Sequence, residues 1–229
     1  MSLLKIINYG HPLLRERAAE VTEMNDAMLD IIEGMAVTMY ENGGVGLAAN
    51  QVGLLKRVFV VDGAIIDDED FADEDEDEDG VDGDQESDDE EGEEADEDDA
   101  DYFDDLLVFI NPEIIEESAE DGPYDEGCLS IPDVRGEVYR PLRVKVRAMD
   151  EHLEPFEVEA EGLLARVIQH ELDHLNGVLF VDHLPLMKRT LLAGDLNRLK
   201  KASLEELPSL EGVEYPIVLA QDVDAEAEV

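Results

Sequence analysis

Residues 67–105 hold 27 aspartates and glutamates and no lysine or arginine. So few apolar side chains cannot offset the entropy of ordering the backbone, and neighbouring carboxylates repel one another. The stretch is therefore expected to stay outside any core and to be disordered. The fold must be built from what lies on either side, and both sides offer β-rich runs, 57–63 (RVFVVDG) before and 106–115 (LLVFINPEII) after. The acidic tract, taken as 64–105, reads as an insertion in a loop between two strands. Within it, 75–86 matches the pattern of a calcium loop. Asp82 stands where an aliphatic residue belongs and no amphipathic helices flank the match, so it is read as chance.

Outside the tract the chain is still acidic. Taking those 27 from the chain's 62 acids leaves 35 against 16 bases, a net of −19, and arginine outnumbers lysine 10 to 6. A dispersed acidic surface poor in lysine reads as adaptation to concentrated salt, where the Debye length falls to ~3 Å at 1 M and self-repulsion is screened. An acidic protein that mimics nucleic acid would need its carboxylates arrayed on a folded surface. Here the densest run lies in a low-complexity insert, so no DNA-related role is expected.

The whole chain of 229 residues is 44% apolar, enough for one domain with a real core. Residues 26–41 place Met28, Ile31, Ile32, Met35 and Met39 at helical spacing, and Asn42-Gly43-Gly44 supplies a stop. Residues 142–148 and 156–161 alternate strictly. As an antiparallel hairpin they would set Arg143, Lys145 and Arg147 opposite Glu157, Glu159 and Glu161, with the apolar faces sharing the core. A helix is expected over 162–176 and a last one over 185–202. The expected fold class is α+β, mostly antiparallel strands around a central helix, with a C-terminal helix. The expected organisation is a single catalytic domain, 1–206, interrupted by the insertion, and a flexible acidic tail, 207–229.

No apolar run approaches the roughly 18 residues of a membrane span, and the first residues lack the pattern of a secretory signal. Cys128 is the one cysteine, which excludes an intramolecular disulfide and suits a reducing compartment. A cytoplasmic protein with no membrane association is expected.

The chemistry is concentrated in QHELDH, 169–174. Residues four apart share a helix face, so His170 and His174 can reach one metal ion while Glu171 sits close enough to act as a base on water. A third ligand is needed. A histidine six residues after His174 would complete one known pattern, but that position is Phe180. A glutamate some twenty residues on would complete another, and 191–200 contains none. Cys128, in EGCLS, is the remaining candidate. A thiolate with two imidazoles suits Fe(II), Zn(II) or Ni(II), and a small buried apolar side chain is the alternative role for a lone cysteine.

Three stretches together, GVGLAANQ (44–51), EGCLS (126–130) and QHELDH (169–174), resemble the three signature motifs of peptide deformylase, in that family's order. INYGHPLLRERAAEV (7–21) and INPEI (110–114) are similar to it as well, and the resemblance covers about residues 3–203 apart from the tract. It implies a compact α+β fold and removal of the formyl group from the initiator methionine of nascent chains, with release of formate. It implies Cys128, His170 and His174 as metal ligands, Glu171 as general base, and the Gln51 side chain with the Leu129 backbone N–H as oxyanion donors. The ion implied is Fe(II), with Ni(II) and Zn(II) as substitutes. Val45, Tyr124, Leu163 and Val167 would line the methionine pocket, and Gly46 and Gly127 would let the substrate backbone pair like an added strand. Glu126 and Arg140 would pair behind the cysteine loop. Tyr124 departs from the family, which often carries an aliphatic residue there, and the acidic tract has no counterpart. A monomer is expected. Residues 186–201 hold five basic residues against Asp195. They resemble in position a helix by which some deformylases dock on the ribosome, whose phosphates would attract them.

Self-repulsion in the acidic body generates a first prediction. A variant lacking 67–105 should lose stability as KCl is withdrawn. Denaturant unfolding that gives the same midpoint in dilute buffer and at high salt would exclude salt adaptation of the body.

Overall fold

The computed structural model describes residues 3–66 and 105–210, with the side chains of 207–210 left out. The expectations for 67–104 and for the tail beyond 210 lie outside the described residues. No helix among the described residues is long and apolar enough to cross a membrane.

A five-stranded sheet forms the centre. Its strands are β1 (Gly46–Ala48), β2 (Val58–Asp62), β3 (Leu106–Glu117), β6 (Arg143–Met149) and β7 (Pro155–Glu161), in that spatial order. A separate hairpin is made by β4 (Asp121–Cys128) and β5 (Ile131–Pro141). Every named strand pair is antiparallel. The α+β expectation, with antiparallel strands about one helix, is borne out.

Two helices explain why β2 reads as an unbroken apolar run. α1 (Asp26–Glu41) is capped by the Asn25 side chain, which accepts from the Met28 N–H at 2.9 Å. It packs Ile31, Met35 and Met39 against Val58, Val60 and Ile110. α2 (Gly162–Leu175) covers the other face, where Leu164, Ala165 and Ile168 meet Phe59, Val61, Phe109 and Val146. Alternate residues of β2 thus feed two cores, and no polar face remains. A third cluster joins β5 to the two C-terminal helices, α3 (Phe180–His183) and α4 (Leu186–Leu210), through Ile131, Val138, Phe180, Leu184 and Leu196.

The register of β6 and β7 is as expected: Arg143 opposes Glu161, Lys145 opposes Glu159 and Arg147 opposes Glu157. Lys145 Nζ lies 3.3 Å from Glu159 and Arg147 Nη2 2.9 Å from Glu157. These pairs are exposed and specify register more than they stabilise.

Asp62 pairs with Leu106 across β2 and β3, and the Gly63 N–H donates to the Asp105 carbonyl at 2.6 Å. The chain therefore enters and leaves the acidic tract at one closed hairpin end.

Three elements differ from the sequence reading. α4 runs to Leu210 rather than ending at 202. β1 is three residues long, too short to show a period. The β4–β5 hairpin was not expected, because Glu126, Gly136 and Arg140 interrupt the apolar run of its buried positions Ile131, Val134 and Val138.

Candidate active site

α2 carries the histidines on the face it turns away from solvent. Its 3.6-residue period brings Leu163, Arg166, Val167, His170, Glu171 and His174 to one side, and all but Leu163 are buried. Cys128 arrives from the opposite direction. It is the last residue of β4, and Leu129-Ser130 turn the chain tightly so that Cys128 pairs with Ile131. The turn points the sulfur at α2. Cys128 Sγ lies 3.2 Å from His174 Nε2, and the ligand atoms of Cys128, His170 and His174 all lie within 4.8 Å of one another.

The His170 ring is fixed from behind. Its Nδ1 sits 2.9 Å from Glu126 Oε2, which leaves Nε2 for the cluster. Burial alone would lower the His170 pKa, but its hydrogen bonds to Cys128 and Glu126 outweigh that and push it up to about 10. Burial, reinforced by the nearby His170, holds His174 well below the usual histidine range. A neutral imidazole, a sulfur and a spot that favours positive charge together fit a divalent transition ion. His174 Nδ1 and Glu171 Oε2 are buried without a hydrogen-bond partner, which leaves the carboxylate oxygen available to water or substrate. Burial raises Glu171 to about 7.

Gln51 comes from the short 3₁₀ turn Ala49–Val52 and is 1% exposed. The Ala48 N–H donates to its Oε1 at 2.8 Å, so the amide nitrogen faces the cluster, 3.5 Å from Cys128 Sγ and 3.3 Å from Ser130 Oγ. Gly46 sits where a Cβ would come within 2.7 Å of both Glu171 Oε1 and Val167 Cγ1. Glycine there lets β1 approach α2. Beside the cluster lies a cavity of about 600 Å³. Val45, Gly46, Gln51, Tyr124, Gly127, Cys128, Leu129, Leu163, Val167, His170 and Glu171 all line it. His174, 1% exposed, is not among the lining residues.

With this geometry in hand, comparison with known proteins is decisive. The model of the family described as polypeptide deformylase matches residues 3–190. The chain belongs to that family. Its members are metal-dependent hydrolases that remove the N-formyl group from nascent chains. The chain is 39% identical over 220 residues to the peptide deformylase of Salinibacter ruber, covering 96% of each chain. It is 43% identical over 183 residues to that of Caldanaerobacter subterraneus subsp. tengcongensis, covering 80% of this chain and 89% of the relative. The crystal structure of a peptide deformylase from Legionella pneumophila superposes with a TM-score of 0.66 at 32% identity, over 89% of this chain and 98% of that one.

Among the deformylase residues expected from sequence, the Glu126–Arg140 pair is buried and bidentate, with contacts of 2.7 and 3.1 Å. It belongs to a larger network than expected. Arg140 Nη1 donates to Asp173 Oδ2 at 2.7 Å, which also lies 2.7 Å from His183 Nε2. Arg166 was missed. Its Nη1 donates to Glu126 Oε1 at 3.3 Å and to the Val138 carbonyl at 3.2 Å, and its Nη2 to the Gly122 carbonyl at 2.8 Å. Its guanidinium lies 5.7 Å from the centre of the Tyr124 ring. The signal for it was its position, one helical turn before His170. Ser130, which contacts Gln51, gave no comparable signal.

Burial tends to raise the Glu126 pKa, but hydrogen bonds from His170 and Arg140 hold it down at about 2. Glu126→Ala would leave buried Arg140 with Asp173 alone and buried Arg166 with backbone carbonyls in place of a carboxylate. It should cost about 3–5 kcal/mol in urea unfolding, and a loss below about 1 kcal/mol would show that water replaces the carboxylate.

Proposed function

We propose that this chain hydrolyses the formamide bond of formyl-methionyl nascent peptides around one divalent ion held by Cys128, His170 and His174. The observation that carries the reading is the convergence of those three ligand atoms beside Glu171 and Gln51 at the wall of one cavity. When bound, the ion supplies Lewis acidity, which makes hydroxide available near neutral pH.

The chain's own groups do the rest. Glu171, buried and raised to about 7, takes a proton from the attacking water and returns it to the leaving amine, as a carboxyl with a pKa near the working pH does best. The Gln51 amide nitrogen, held by the Ala48 contact, and the Leu129 backbone N–H donate to the oxyanion that develops on the formyl oxygen. Val45, Tyr124, Leu163 and Val167 receive the methionine side chain. β1 is the end strand of its sheet, which supports pairing of the peptide backbone along Gly46, with Gly127 opposite.

Fe(II) is the proposed ion, with Ni(II) and Zn(II) as substitutes, because a sulfur with two imidazoles suits borderline metals. The protein acts as a monomer and as one catalytic domain over 1–206. A substrate that emerges from the ribosome supports a cytoplasmic site of action. Ribosome contact through 186–201 belongs to the same proposal. Its positive charge is partly spent within the molecule: Lys188 pairs with Glu137, Arg198 with Asp195 and Lys201 with Glu205.

Two variants separate ligation from proton transfer. Cys128→Ala should lose its metal, and elemental analysis showing one ion still bound per chain would refute the ligand assignment. Glu171→Ala should keep the metal and lose about 10²–10⁴-fold in formate release from a formyl-Met peptide. Turnover within about tenfold of wild type would remove Glu171 from the role of base.

A further inference from the structure

A second cavity adjoins the first. It measures about 720 Å³, and Tyr124 and Arg135 line both. Pro123, Asp125, Gly136 and Glu137 of the β4–β5 hairpin form one side, and Leu184 with Lys188, Leu191 and Leu192 forms the other. Leu191 is 80% exposed, and Met187, one turn before it on α4, is 79% exposed. Such an apolar strip is out of character in a chain of net charge −46 and marks a contact surface.

Arg135 stands between the two cavities. Its Nε donates to Asp125 Oδ2 at 2.8 Å, and its Nη1 lies 3.1 Å from where a Cβ on Gly127 would sit. Lys188 Nζ bonds Glu137 at 3.0 Å on the rim. Both ion pairs are exposed, so they cost little to rearrange and weaken in salt.

We propose that this groove receives the nascent chain beyond its first few residues, with apolar side chains resting on Leu184, Leu191 and Leu192. The inference rests on the deformylase reading of the neighbouring cavity. Continuity favours this occupant, since a peptide anchored beside Gly127 already lies next to Arg135. α4 ends at Leu210, 19 residues beyond Leu191, or about 28 Å at 1.5 Å per residue, and residues 211–229 follow it.

The test uses the full-length enzyme and three substrates: a formyl-Met tripeptide, a formyl-Met octapeptide with leucines at positions 5–7, and the same octapeptide with serines there. The leucine octapeptide should show a KM about tenfold below the other two, the effect of burying roughly two methylene groups. Leu191→Asp should abolish that advantage and leave tripeptide kinetics unchanged. A chain ending at Leu210 should retain the advantage. Equal KM values for the two octapeptides, or an advantage that survives Leu191→Asp, overturn the proposal. Loss of the advantage in the shortened chain assigns the groove to an arrangement involving the tail and overturns it too. Anisotropy of dye-labelled octapeptides reads the same preference without turnover. Absence of formate release would sink the proposed activity while leaving the groove separately tested.

Discussion

A carboxylate that is 3% exposed and touches two arginines and a histidine must be matched in charge or be neutralised by a proton. Glu126 meets that condition through Arg140, Arg166 and His170 together. Because it sits on β4, two residues before Cys128, the same carboxylate sets the depth of the hairpin against α2 and the rotation of the His170 ring. Remove it and the sulfur and the imidazole lose their common reference. The apolar inward residues of the hairpin, Ile131, Val134 and Val138, pack in the cluster with α3 and α4, so on the side toward the His170 ring this ion network adds the positioning.

The main sheet solves a different problem. β2 is buried on both faces between α1 and α2, and this gives α2 a firm floor from which to present its histidine face. The acidic tract is attached at the end of β2 and β3, where the Gly63–Asp105 contact closes the hairpin. Loop closure entropy grows only by about 0.6 kcal/mol for each doubling of loop length. A long insertion there costs the sheet little so long as its ends remain paired, and the ligand cluster lies on other elements.

Electrostatics divides along the same line between outside and inside. On the surface, pairs such as Arg147–Glu157 are solvated and specify register. Inside, the charges of Glu126, Asp173, Arg140 and Arg166 nearly cancel, which lets burial act selectively. It suppresses protonation of His174 and raises Glu171 to about 7. The two residues on either side of Asp173 and Leu172 thus acquire opposite tendencies suited to ligation and to proton transfer.

Where a segment's period and its burial coincide, the amino-acid sequence by itself determined the outcome. α1 buries Ile31, Ile32, Met35 and Met39, which its spacing marked, and half-buries Met28, β6 and β7 pair in the register their charges demanded, and the i, i+4 histidines share a face with Glu171. The deformylase motifs named the remaining partners in the cluster because their order along the chain is distinctive. Tertiary structure alone decided what depends on long-range charge and on close approach. The β4–β5 hairpin hides its strands behind buried Glu126, Gly136 and Arg140. Arg166 has only its spacing from His170 to mark it until Gly122 and Val138 supply carbonyls to it. Gln51 is oriented by a backbone N–H three residues earlier in a turn whose shape no local pattern records. The groove beside α4 exists because two elements meet there, and a sequence period describes one element at a time.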